Sequence, residues 1–224
     1  MENFYKKSHQ SGRSMIEMLG VLAIIGVLSI GSIAGYSRAM FKYQLNKHAE
    51  DFNLLLQNTI SFIPNLQREY GNGNDGINLS SLFADTSLLP DSMHYNENDK
   101  YIYDIFKNRF RIRYLLYETG NHAAPEYLID YVMQRSGNKV SPRDKEICRN
   151  FVLVAKENAG NIANITLSGG ASGGNTVHGD LVTWGDKKLR NVGLSEIDKF
   201  CDSCDSPTGC SLRIYIGHWA NIKS

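Results

Sequence analysis

SGRSMIEMLGVLAIIGVLSIGSIAGY, from Ser11 to Tyr36, is the stretch whose reading decides the fold. From Met18 to Ile33 it carries no charged side chain, and a basic leader with Lys6, Lys7 and Arg13 precedes it. At about 1.5 Å per residue, the apolar run from Ser14 to Tyr36 forms a helix long enough to cross a hydrocarbon core of about 30 Å. One residue breaks the pattern. Glu17 places a carboxylate inside the span, where an ionisable group is costly unless it is paired or functional. A secretory signal has a shorter apolar region followed by a small-residue cleavage site, and none follows here.

Outward from the span the helical pattern continues. Phe41, Leu45, Ala49, Phe52, Leu56, Ile60 and Ile63 recur at three- and four-residue spacing, which predicts one helix from about Met15 to Phe62. Pro64 is the expected stop, because the residue before a proline is pushed out of helical geometry.

Past that helix, Gly71 to Gly76 reads as a turn that lacks the ligand spacing of a calcium loop. Tyr101 to Phe106 and Arg109 to Tyr117 flank Lys107-Asn108 as a hairpin, with Phe110, Ile112 and Tyr114 on its dry face. Two short helices are expected next, one opened by Pro125 and ending near Gly137, the other opened by Ser141-Pro142 and running towards Gly160. Cys148, Val152 and Ala155 share a face of the second, which predicts a buried thiol. Asn161 to Leu167, Thr176 to Thr183 and Leu212 to Ile216 are strand candidates. The glycines between Gly169 and Gly174 lack the Gly-Lys-Ser/Thr ending of a phosphate loop and read as a surface connection.

The amino-terminal stretch resembles the type IV prepilin signature, shared by type IV pilins and type II secretion pseudopilins. In that signature a glycine ends a basic leader and glutamate is the fifth mature residue of an apolar helix. Here Gly12 matches the glycine and Glu17 the glutamate, and the likeness extends through Ala23-Ile24-Ile25-Gly26-Val27-Leu28 to Tyr36. The resemblance implies cleavage by prepilin peptidase between Gly12 and Arg13. It also puts the family's N-methylation on Arg13, a cation where the family usually has an apolar residue. Glu17 would set axial register by pairing with the freed amino terminus of a neighbouring subunit. The implied fold class is α+β, a long amino-terminal helix packed on an antiparallel sheet. Residues 1–12 would be the leader, 13–62 the helix with its membrane and polymerisation segment at 14–36, and 63–224 the periplasmic or extracellular head. Expected partners are related pilin subunits, the peptidase, an inner-membrane assembly platform and, before assembly, the lipid bilayer with the amino terminus cytoplasmic. A single-pass anchored periplasmic domain that never polymerises is the alternative from another class.

In an oxidising compartment, the four cysteines Cys148, Cys201, Cys204 and Cys210 predict two disulfides. Cys148 with Cys201 and Cys204 with Cys210 is the favoured pairing, the longer loop contributing on the order of 4 kcal/mol. Zinc ligation and a redox dithiol at Cys201 and Cys204 are the alternatives. Asp198, Asp202 and Asp205 read as a solvated acidic loop, with calcium binding as the alternative. The six histidines are scattered and no nucleophile motif stands out, so no enzyme and no cofactor is expected. The formal charge is +1, of which the leader supplies +1 through Lys6, Lys7 and Glu2. A formally neutral remainder predicts no nucleic-acid partner.

Overall fold

A computed structural model describes residues 15–70, 76–119, 122–133, 141–168, 175–181, 187–204 and 209–217, with side chains described except at 64–70, 116–119, 122–126 and 175. It forms two compact units, residues 1–43 and 44–224. A single helix, α1 (Met15–Tyr70), contributes to both.

In the second unit an antiparallel sheet is built from β1 (Ile77–Asn78), β2 (His94–Asn96), β3 (Tyr101–Tyr103), β4 (Arg109–Thr119), β5 (His122–Met133), β6 (Ile162–Ser168), β7 (Asn175–His178) and β8 (Cys210–Gly217). The order is β2-β3-β4-β5-β8-β6-β7, with β1 paired to β4. Three further helices join it: α2 (Ser80–Asp85), α3 (Pro142–Glu157) and α4 (Leu194–Asp202). The α+β class follows directly.

Alternation along the strands sets the core. Phe110, Ile112 and Tyr114 of β4, and Leu212, Ile214 and Ile216 of β8, are buried on one face. On that face the carboxyl-terminal part of α1 supplies Phe52, Leu55 and Leu56, and α3 supplies Ile147, Phe151 and Val152. Phe52 stacks on Phe151 with centroids 4.3 Å apart, and Tyr131 of β5 stacks on Phe110 at 4.4 Å. This aromatic column joins two helices to two strands, each pair adding about 0.5–1.5 kcal/mol beyond its buried area.

Ser141 caps α3 through a reciprocal box in which its hydroxyl accepts from the Asp144 N–H at 3.1 Å and Asp144 accepts from the Ser141 N–H at 3.2 Å. Satisfying two free N–H groups at once explains why the helix starts there. As expected, Cys148 and Ala155 are fully buried and Val152 nearly so.

Three expectations need correction. The helix predicted to open at Pro125 is strand β5, paired along its length with β4 and from Glu126 onward with β8. Tyr127 to Tyr131 is buried throughout, the core covering one side and Arg111 and Arg213 closing over Asp130 on the other, so no alternation shows and periodicity alone cannot separate the strand from a buried helix. Pro125, which has no N–H to donate, lies beyond the Glu126–Gly217 pair, where no β8 residue among those described calls for a donor. Helix α1 does not stop before Pro64 but continues to Tyr70. Ile60, Phe62 and Ile63 pack against the core on the preceding turn, and this packing holds the helix through a proline that local preference would make its end. The strand sought at Thr176 to Thr183 is the shorter β7, because the chain leaves the ladder after His178: the Gly179 N–H turns back to the Ala163 carbonyl at 2.8 Å.

Candidate functional site

Helix α1 is apolar without being a core helix over its first part. Every residue from Met15 to Met40 is exposed, with Met15 at 82 %, Ile24 at 62 % and Ile33 at 67 %. Its apolar window has a mean hydropathy of 2.2 and none of it is buried, so among the described residues there is one helix long and apolar enough to cross a membrane. Two polar side chains in the span are satisfied within the helix. Ser29 donates to the Ile25 carbonyl at 2.7 Å and Ser32 to the Leu28 carbonyl at 2.8 Å, which removes most of their cost in an apolar surrounding. Gly20, Gly26, Gly31 and Gly35 have open space where a side chain would stand. Nothing among the described residues requires small residues there, and Gly31 and Gly35, four apart, leave a smooth strip on which another helix can approach closely.

Glu17 lies in the first turn of this helix. A carboxylate there is favoured by the helix dipole, yet among the described residues it has no ion-pair partner. Gly12 and Arg13, the expected cleavage pair, lie outside the described residues.

From Gln44 onward the same helix belongs to the head, and polar side chains tie it there. His48 and Asp51 are buried on α1. The Nε2 of His48 is 3.3 Å from Asp104 Oδ2, at ion-pair distance but out of hydrogen-bond alignment, so both ring nitrogens are buried without a hydrogen bond. Asp104 also accepts from the Asn108 N–H at 2.7 Å, the Phe106 N–H at 2.9 Å and the Tyr131 hydroxyl at 3.0 Å. Burial, and then the Asp104 carboxylate, push the Tyr131 phenol well above its usual range. Asp51 pairs with Lys47 at 2.8 Å and accepts from Ser92. Asn150 of α3 donates to the Leu45 carbonyl at 2.8 Å. Sequence periodicity missed these ties because His48, Asp51 and Asn150 are polar, and a hydrophobic pattern reads polar residues as solvent-facing.

At the far end of the head, Cys148 of α3 is bonded to Cys201 of α4 and Cys204 to Cys210 at the start of β8. Free cysteines are absent among the described residues, which leaves neither a zinc set nor a reduced dithiol. Asp198 accepts from Arg149 Nε at 3.0 Å and Asp202 from Lys145 Nζ at 2.7 Å. The acidic residues beside the cysteines thus hold α4 to α3, and Asp205 lies outside the described residues. Among the described residues there is no group of three or more potential metal ligands. A cavity of about 260 Å³ is lined by Thr176, Val177, Val192 and Phe200 with Lys187, Lys199 and Glu196.

Comparison with protein families, with characterised proteins and with solved structures gives no match to this chain.

Proposed function

We propose that this chain is a type IV pilin-like structural subunit, cut after Gly12 and polymerised through its amino-terminal helix into a pilus or a secretion pseudopilus. One observation carries the reading. The apolar part of α1 is wholly exposed, holds one carboxylate at Glu17, five residues beyond Gly12, and belongs to the same helix whose later turns enter the head's core. Such a helix suits lipid before assembly and a filament core afterwards. In either medium an unpaired carboxylate is penalised, so a subunit in the wrong axial register is rejected. The smooth strip at Gly31 and Gly35 favours close approach of neighbouring helices, and a disulfide-bonded carboxyl-terminal region suits a head outside the cytoplasm.

Replacing Glu17 with alanine in cells carrying the assembly machinery tests this. Incorporation into sheared filaments should collapse while membrane insertion persists. Equal behaviour of wild type and variant would instead favour an anchored periplasmic domain that never polymerises. Mass spectrometry of the protein from its native membrane supplies the second test, since the mature chain should begin at Arg13 and an intact Met1 start would sink the reading.

A further inference from the structure

Alternate residues of β4, Arg109, Arg111 and Arg113, point away from the core at steps of about 7 Å. Arg213 of β8 joins them in register: Arg111 stands opposite Asp130 of β5, and Asp130 opposite Arg213. Asp130 is buried and accepts from Arg111 Nη2 at 3.1 Å, from Arg213 Nε at 3.4 Å and from Ser211. One carboxylate between two guanidiniums orders the row without neutralising it. Among the described side chains Arg109 and Arg113 have no ion-paired carboxylate, and the nearby Asp99 is occupied by the Tyr103 hydroxyl.

Aromatic rings are interleaved with these charges. Arg109 and Arg111 lie over the Tyr101 ring, their guanidinium carbons 4.8 and 5.2 Å from its centroid, which fixes the planes of both. The Nε of each is buried without a hydrogen-bond acceptor, so contact with a ligand falls to the terminal nitrogens. Tyr215 stands half-exposed on the same face, one row along from Arg213.

We propose that this face of the sheet binds single-stranded nucleic acid, the guanidiniums engaging successive phosphates and Tyr215 stacking on a base. Three always-charged planar forks at steps of about 7 Å along β4, with Arg213 two strands away across Asp130, match a polymer of regularly spaced phosphates. Tyr215, beside Arg213, offers a stacking platform that an acidic peptide would leave unused. The formal charge of +1 conceals this surface, because binding responds to where charge is concentrated rather than to its sum. Binding of this kind departs from the expectation, drawn from composition, of no nucleic-acid partner.

The test uses the full chain in a non-ionic detergent and a fluorescent oligothymidylate, with anisotropy read across a salt series. Binding should weaken with salt at a log–log slope of about −3 for four phosphate contacts, and Arg113→Gln should reduce that slope by about 0.7. Tyr215→Ala should weaken binding roughly tenfold and leave the slope unchanged. Melting temperatures of both variants are measured alongside, and Arg109→Gln replaces any variant that unfolds. No binding at low salt overturns the proposal. Polyglutamate or a sulfated glycan binding as tightly as the oligonucleotide, with Tyr215→Ala without effect, also overturns it and assigns the face to another polyanion.

Discussion

His48 of α1 and Asp104, in the turn between β3 and β4, meet at 3.3 Å with both side chains sealed from solvent. Asp104 simultaneously closes the turn that leads into β4, so one carboxylate holds a helix, a turn and the Tyr131 hydroxyl. Asp104→Ala strands these groups at once and should cost about 3–5 kcal/mol. Asp104→Asn retains an acceptor and should cost less, about 1–3 kcal/mol. Urea unfolding of the full chain in detergent checks this through a lowered midpoint at unchanged slope.

The two disulfides should differ in worth. Cys148 and Cys201 are separated by 53 residues, Cys204 and Cys210 by 6. Loop-closure entropy gives about 4 kcal/mol for the first and about 2 kcal/mol for the second. Paired serine variants, Cys148→Ser with Cys201→Ser against Cys204→Ser with Cys210→Ser, should therefore melt in that order, the first pair lower. Equal melting temperatures would contradict the ranking.

Gly179 is required by a close approach rather than by a turn. A Cβ there would stand 1.9 Å from the Ile162 carbonyl oxygen, at the β6 bulge, and backbone cannot yield as a side chain does. Gly179→Ala should destabilise by about 3 kcal/mol. Gly160→Ala, where a Cβ meets open space, should stay within about 1 kcal/mol of wild type. Thermal melts of the two variants side by side make the comparison.

Alkaline pH should weaken the head. Burial, and secondarily the Tyr114 phenol, push Tyr127 up to about 12 from an ordinary value near 10. The folded state therefore holds the proton more tightly than the unfolded chain. This contribution is complete below pH 10 and is lost as pH rises through about 12. Chemical unfolding midpoints should be level up to pH 10 and then fall, and Tyr127→Phe should flatten that decline.

Much of the architecture was legible residue by residue. The spacing from Phe41 to Ile63 announced the amphipathic part of α1, the Phe110-Arg111-Ile112-Arg113-Tyr114 alternation announced β4, and Ser141-Pro142 announced the start of α3. Each is a local signal, fixed by side-chain periodicity or by a cap within a few residues. Strand β5 was illegible because the core covers one face and its sheet neighbours, Arg111 and Arg213, close over Asp130 on the other, which erases the alternation. The continuation of α1 past Pro64 was illegible because packing at Ile60, Phe62 and Ile63 outweighs a local preference.

The functional surfaces divide in the same way. By itself the sequence determined the apolar span, its single carboxylate at Glu17 and the even set of cysteines, since composition and spacing along one helix or one chain express them completely. Only the tertiary structure decided that His48 meets Asp104, that Cys148 is bonded to Cys201, and that Arg213 comes onto the face of Arg109, Arg111 and Arg113, opposite Arg111 across Asp130, in a chain of formal charge +1. These are relations between distant segments. Strand register and helix packing create them, and no local window of residues contains both partners.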